Sequence, residues 1–562
     1  MANTDPGQYT TPTEQPLQIR SAADVQWHDE ADIVVVGFGG AGATAAIRGR
    51  EMGLDVIAVD RFDGGGATAY SGGVTYAGNT AQQREAGVDD SVENMYAYLS
   101  QEENPVRPET LRRFCENSGA QLEWLQAQGV PYDSAFFKGK TTYPPEGSYL
   151  YYSGNEKVPA YAAGAKPAAR GHRAVGAGFT GYVHFGALRT SASQKGVRLV
   201  KHSPVRRLVM DSSGAVIGVE VLAIPESAWP EHDKLYAQVN PMKPMNGARS
   251  EKAIAQCRAF EDRFTERRLI RARGGVILST GGFVNDMKKL EAARPFYAKS
   301  YKSIMRLGSM GCDGSGMDLG RSVGGAIDLM ENFFNARSIA PPQAALRGVL
   351  VNKQGGRFLN EDAYTGFLGT AIGDQTDGKA WLILDKDSFW ATFKQCAFPG
   401  KGLYLYTLPT LLNIFIGGTK RARTLDKLAR KMKIDAAALK KTVASANAGA
   451  AAGVDPLGKA QENIDTIDKP PYYAINMDFD NRFTVTMLFS LGGLKVNEDS
   501  GAVLRPDGTD IPGLYAAGRV AVGLNSINNI SGMSLADTVF SGLRAAEGAA
   551  KGLNTHVPEP IG

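Results

Sequence analysis

Cysteine, histidine and net charge are all scarce in this 562-residue chain. Its four cysteines, Cys115, Cys257, Cys312 and Cys396, stand far apart without a CxxC pair, which excludes a disulfide framework or zinc ribbon and fits buried free thiols in a reducing compartment. The six histidines form no HExxH or regularly spaced ligand set, so no metal is expected. Sixty-two basic residues against 58 acidic ones leave a net charge of +4, too little to track a phosphate backbone, so nucleic acid is not a predicted partner. No apolar run reaches the roughly 18 residues that cross a bilayer, and the polar start of the chain has no basic-then-apolar leader; a cytoplasmic protein is the expectation. A GxSxG elbow is also missing, which leaves serine hydrolysis without support.

Glycine, by contrast, is abundant: 66 residues, about 12% where ~7% is usual. The apolar β-branched run Ile33 to Val36 leads into glycines, then a helix-forming stretch from Ala41 to Arg50, then a second apolar run, Val56 to Val59. This is a βαβ unit. Gly37, Gly39 and Gly42 spell GxGxxG between its first strand and its helix, with Ala41 inside the motif and Asp60, then Arg61, closing the second strand. The first glycine permits the turn, the second lets a pyrophosphate approach, the third admits close helix packing, and Asp60 can accept from a ribose hydroxyl. Three more glycine segments follow: Gly64 to Gly73 (including Gly66, Ala67, Thr68, Ser71, Gly72 and Gly73), then Thr280, Gly281 and Gly282, then Gly513 to Arg519 with Gly518. Four separated backbone-approach segments suit an extended flavin adenine dinucleotide better than a nicotinamide cofactor.

Strand patterns at Leu199 to Val209, Val216 to Val221 and Leu269 to Arg273, the last leading to the apolar run Val276 to Leu278, continue the first half, whereas residues from Asp313 to about Pro470 read as helical and mixed. Strand-like, glycine-rich character returns at Phe489 to Asn497 and Ile511 to Arg519. The predicted fold is therefore α/β: a Rossmann-like FAD-binding domain (28–312 and 478–562) interrupted by a smaller α+β substrate-capping domain (313–477), after a flexible lead-in at 1–27. Residues 223–267, with four prolines and a charged helical stretch, read as an insertion. Its Trp229, Tyr236, Met242 and Met245 among many cations allow a peripheral membrane contact, against the plainer reading of a solvated loop. Leu403 to Gly418 is nearly uncharged but interrupted by Pro409, and reads first as buried core of the second domain, with a substrate mouth as the other reading.

From Ala31 to Ala550 the chain resembles the flavoprotein subunit of fumarate reductase and its relatives, including the 3-ketosteroid dehydrogenases. The carriers are VVVGFGGAGATAAI (34–47), GGGATAYSGG (64–73), LSTGGF (278–283), RGVLVNKQGGRFLNED (347–362), LGGLKVN (491–497) and GLYAAGR (513–519). The resemblance implies an adenine site at the backbone of Val205 and an isoalloxazine site near the Ser71 to Gly73 turn and the C-terminal helix, where Ser534 and Leu535 fall. Relatives with covalent flavin carry a histidine before that turn; here Ala67, Thr68, Ala69 and Tyr70 stand there, so FAD is expected to be non-covalent.

Fumarate-type members need an arginine in the segment matching Asn360 to Gly366 and an HxxNR-like pair matching Asn525 to Asn529. This chain has neither, and an uncompensated buried carboxylate costs several kcal/mol. The steroid branch instead has a tyrosine where Tyr364 stands, and its Δ4-dehydrogenase members match around Ser531, Gly532, Met533, Ser534 and Leu535 and from Tyr151 to Glu156. The resemblance thus implies a 3-oxosteroid dehydrogenase, Δ4 favoured over Δ1. In it Tyr364 accepts a proton, a hydride reaches flavin N5, and Asn529, Ser531 or the Gly532 N–H bonds the ketone oxygen. At the position of Asn529 known steroid members carry tyrosine. An apolar steroid ketone and an external electron acceptor are the implied partners; an ene-reductase of another enone, a fumarate reductase-like enzyme and a flavin binder without turnover are the alternatives.

Overall fold

The computed structural model describes residues 10–242, 247–402, 404–483, 486–527 and 530–553. Its main sheet is centred on the strand Asp29–Val36, paired in parallel with Val56–Val59 on one side (Ile33 opposite Val56) and with Arg267–Leu278 on the other (Val34 opposite Val276). Val34 and Val35 are fully buried, as a strand covered on both faces requires, and this is why its sequence runs continuously apolar. The helix Gly40–Glu51 follows at once and lies along the C-terminal helix Met533–Lys551. Small residues permit that approach: a Cβ on Gly542 would stand 2.8 Å from the Ala41 carbonyl oxygen.

The chain returns to this sheet more than two hundred residues later. The strand Asp510–Ala516 pairs with Arg267–Leu278, Leu514 opposite Val276, so the two halves of the sequence share one core. Between them, Val349–Asn352, Ala380–Leu384, Tyr472–Asn476 and Lys420–Ala422 form a separate antiparallel sheet. Its outer face is covered by the helices Leu425–Met432 and Ala436–Ala452 through Leu428, Met432, Leu439 and Val443. An α/β cofactor domain interrupted by an α+β cap is therefore the observed architecture. A three-stranded sheet, Met305–Arg306, Thr486–Ser490 and Phe333–Arg337, lies at the junction.

Four local expectations change. Leu199 to Val209 is not one strand: it breaks at His202 (φ 50°) and Pro204 into Arg198–Val200, on one edge of the sheet, and Val205–Met210, which pairs with Val216–Leu222 on the opposite side. The lead-in is tied down from residue 10 onward, since Leu17–Gln18 adds a parallel strand beside Val209 and Met210, and the Thr11 hydroxyl donates to Asp313 at 2.6 Å. The insertion is not a loose solvated loop. Its helices Trp229–Tyr236 and Gly247–Glu261 enclose a small core of Phe62, Val239, Ile254, Cys257 and Met310. Within it Tyr236 packs on Phe62 and Trp229 stacks on His202, with ring centroids 4.4 and 4.7 Å apart, so its aromatic side chains are turned inward; Met245 lies outside the described residues. Finally, Leu403 to Gly418 is not a buried core segment: the helix Tyr404–Ile416 buries Tyr406 and Asn413 but exposes Leu408, Leu412, Phe415 and Ile416. Among the described residues no helix is long and apolar enough to cross a membrane.

Candidate active site

The GxGxxG turn sits where the first strand delivers its chain to the N-terminus of Gly40–Glu51. Gly37 has φ +95°, and a Cβ there would lie 2.8 Å from the Ser279 carbonyl oxygen; on Gly42 it would lie 1.9 Å from the Gly37 carbonyl oxygen. At Gly39 the nearest atom would be 3.8 Å away, so this position faces open space. That space is a groove lined by Gly37, Gly39, Ala41, Asp60, Arg61, Gly66, Ala67, Thr68, Val205, Thr280, Gly281, Gly518 and Arg519, all predicted cofactor positions. Gly42 and Gly282 do not line it: Gly42 packs on the turn itself, and a Cβ on Gly282 would meet the Ser490 hydroxyl at 2.3 Å.

Asp60 accepts the backbone N–H of Phe38 at 2.7 Å and of Phe62 at 2.8 Å. Burial raises its pKa, and these bonds work against the rise. Arg61 pairs with Glu261 of the insertion at 2.7 Å and with Asp313 at 3.1 Å, partners that offset burial and keep it charged. Its Nη2 is buried with no hydrogen-bond partner among the described residues. A groove floored by glycine backbone, with a helix N-terminus, a carboxylate and an orphan guanidinium N–H along it, fits the phosphates and ribose of a dinucleotide.

The groove opens at Ala67, Thr68, Arg519 and Thr538 into a second cavity of about 180 Å³. Predicted residues Ser71, Gly72, Gly73, Tyr364, Ser531, Gly532, Ser534 and Leu535 line it, and Phe179, Phe334, Met487, Phe489 and Tyr406 make its walls. Arg519 is the one charged side chain among the described lining residues; it sits in the seam with the groove, 4.9 Å over the Phe489 ring. Among the described residues no histidine lines either space.

At the far wall the Ser531 hydroxyl and Tyr151 OH share a hydrogen bond of 2.8 Å. Burial drives the Tyr364 phenol well above its ordinary pKa, and hydrogen bonding to Ser531 opposes this only in part; Tyr151 is raised likewise, by burial first and by Tyr364 second. Both phenols are therefore neutral at neutral pH. Gly532 has φ +93° and caps Met533–Lys551, so the first turn of that 19-residue helix, with its unpaired-end N–H groups, abuts the cavity. A Cβ at Gly532 would stand 2.8 Å from Tyr76 N, which makes glycine the residue this turn accepts. Asn529, the remaining predicted catalytic residue, lies outside the described residues.

Behind Tyr364 is a polar layer that spacing alone did not reveal. Its backbone N–H donates to Asn155 Oδ1 at 2.7 Å; the Asn155 amide donates to Glu102 at 3.1 Å, and Tyr98 OH donates to the same carboxyl at 2.9 Å. Burial pushes Glu102 up to about 7. Tyr151, Tyr406 and Met242 are likewise site residues to which sequence reasoning gave no role; Tyr151 lay in a stretch matching the steroid branch, and Tyr406 and Met242 showed only the aromatic or apolar character that core positions share. A potential metal-ligand group also escaped the spacing search: donor atoms of His232, Cys257 and Glu261 lie within 4.8 Å of one another. Arg61 and Arg206, at 2.7 and 3.5 Å, already offset the Glu261 charge.

Comparison with known proteins places this geometry. The profile of the family described as FAD binding domain matches residues 32–535. The 3-oxo-5-alpha-steroid 4-dehydrogenase of Comamonas testosteroni is 39% identical over 516 residues, covering 90% of this chain and 96% of that protein. A 3-oxosteroid 1-dehydrogenase of Mycobacterium tuberculosis is 27% identical, with coverages of 88% and 93%. In three dimensions the chain is similar to the 3-ketosteroid-delta4-(5alpha)-dehydrogenase of Rhodococcus jostii RHA1 solved in complex with 4-androstene-3,17-dione: TM-score 0.78, 31% identity, covering 96% of this chain and 100% of that one.

Proposed function

We propose, since the chain belongs to the FAD binding domain family and lies close to steroid 4-dehydrogenases within it, that this protein is an FAD-dependent 3-oxosteroid dehydrogenase forming the Δ4 double bond. The observation that carries the reading is the cavity: apolar and aromatic walls, one cation at the cofactor seam, and a phenol and a hydroxyl facing a helix N-terminus. A dicarboxylate would bury two charges there with a single cation to meet them, whereas a flat apolar ketone meets the walls.

The groove residues hold FAD without a covalent bond, and residues 28–312 and 478–562 serve as its domain under the 313–477 cap. When bound, FAD supplies the two-electron acceptor for a hydride given up by the substrate. The N–H groups of Gly532 and the first helical turn, with Ser531 beside them, bond the ketone oxygen and acidify the neighbouring C–H. Tyr364 then takes that proton at its phenol oxygen. Because burial keeps the phenol protonated, it can do so only as its own proton passes to Ser531 Oγ, the Ser531 proton passes to Tyr151 OH and the Tyr151 proton is released to solvent, so that one proton leaves the site per turnover. The organic product is the Δ4 enone, and an external electron acceptor would take up the two electrons.

Anaerobic titration of the purified yellow protein with saturated 5α-3-ketosteroids tests this. Bleaching of flavin absorbance with a Δ4 product is expected. A Δ1 product would reassign the bond, and reaction only between the pre-reduced protein and an enone would replace the reading by ene reduction.

A further inference from the structure

Six of the nine large hydrophobic side chains that stand exposed among the described residues belong to two consecutive helices and the turn between them: Trp390, Phe398, Leu408, Leu412, Phe415 and Ile416. The spacing is not accidental. On Tyr404–Ile416 the exposed positions are i, i+4, i+7 and i+8, one face of a helix that contains no charged residue. On Lys386–Ala397, Trp390 and Lys394 share a face that continues to Phe398. Edge-to-face contacts run Trp390 to Phe393 at 5.4 Å and Phe393 to Phe415 at 5.9 Å, joining the two helices into one surface.

We propose that this face docks on an anionic phospholipid membrane. From residue 388 to residue 425 the chain carries five cations, Lys394, Lys401, Lys420, Arg421 and Arg423, and no aspartate or glutamate, although the whole molecule is nearly balanced. None of the five has an ion-pair partner among the described residues. An apolar helix face in a stretch of chain that carries lysine and arginine but no acid is the pattern that seats in a bilayer interface, the apolar side chains in the acyl boundary and the cations at anionic headgroups. A second copy of the chain fits worse, because pairing two such faces would set five cations against five. The opposite side of the same helix places Tyr406 in the cavity wall, so the docked enzyme would hold its cavity beside the phase in which an apolar ketone dissolves. This last point rests on the substrate reading; the spacing and charge arguments do not.

Flotation of the holoprotein with vesicles of equal parts phosphatidylglycerol and phosphatidylcholine, read without substrate, separates the two. Wild type is expected to float, and to float less with phosphatidylcholine alone. The variant Phe398→Ser/Phe415→Ser/Ile416→Ser should lose about tenfold in binding with its flavin absorbance unchanged, and Lys394→Glu/Lys401→Glu should lose about as much with the apolar face intact. Failure of wild type to float, or flotation of either variant equal to that of wild type, overturns the proposal. Self-association abolished by the triple variant would overturn it in favour of a second copy.

Discussion

The cofactor groove is built from backbone and the substrate cavity from side chains, and the two respond differently to change. In the groove the fit is set where a Cβ has no room: 2.8 Å at Gly37 and 1.9 Å at Gly42. In the cavity the fit is set by rings and hydroxyls from widely separated stretches of chain, from Ser71 to Leu535. Backbone-built sites are rigid and nearly indifferent to pH. Side-chain-built sites desolvate ionisable groups and so carry the molecule's chemistry together with its pH dependence.

The largest test of that contrast is Gly42→Ala, which drives a methyl into a backbone carbonyl and should cost about 3 kcal/mol or more; the purified protein is expected to be colourless or insoluble, read from its flavin-to-protein absorbance ratio. Tyr364→Phe should separate the two regions cleanly: turnover falls by about 10² to 10⁴ while that same ratio stays at the wild-type value. Retained turnover would remove Tyr364 from the chemistry.

Glu102 offers a test through pH. Its pKa is raised from 4.5 to about 7 in the folded protein. As pH climbs through that window the unfolded chain releases the proton and the folded chain keeps it, so stability is greatest below about 4.5, falls toward 7 and levels off above it; the fall is at most about 3 kcal/mol. Glu102→Gln should flatten Tm between about pH 5 and about pH 8 and raise it at the alkaline end. An unchanged pH profile would show that Glu102 titrates normally. The smallest effect belongs to Tyr406→Phe, which keeps the ring and removes only a buried hydroxyl: KM should move by less than about threefold with kcat unaltered.

The same contrast explains what could be read from residues alone. Glycines that must admit a cofactor fall in short local clusters, so Gly37, Gly39, Gly66, Gly281 and Gly518 announced the groove, and the βαβ unit framed it. Gly42 and Gly282 carry the same motif yet serve packing, because a glycine does not say which side of it is crowded. Tyr364 and Ser531 were legible only through family resemblance. Tyr151 meets Ser531 across 380 positions, and Asn155 meets Tyr364 across 209; no local pattern encodes such pairs. The helix Tyr404–Ile416 was misjudged because lack of charge signals burial in most helices, and here one face is buried and the other bare.

The ionic knot at Glu261 bears on the modularity of this architecture. A segment that interrupts a strand-to-strand connection invites removal, or exchange between relatives. Here the segment's carboxylate, fully buried, sits between Arg61 and Arg206 and accepts from His232 at 3.1 Å. Excising residues 223–267 would leave Arg206 buried without a carboxylate, a loss of about 3 to 5 kcal/mol. The segment is thus welded to the cofactor domain, and a functional chimaera must transplant both arginines along with it.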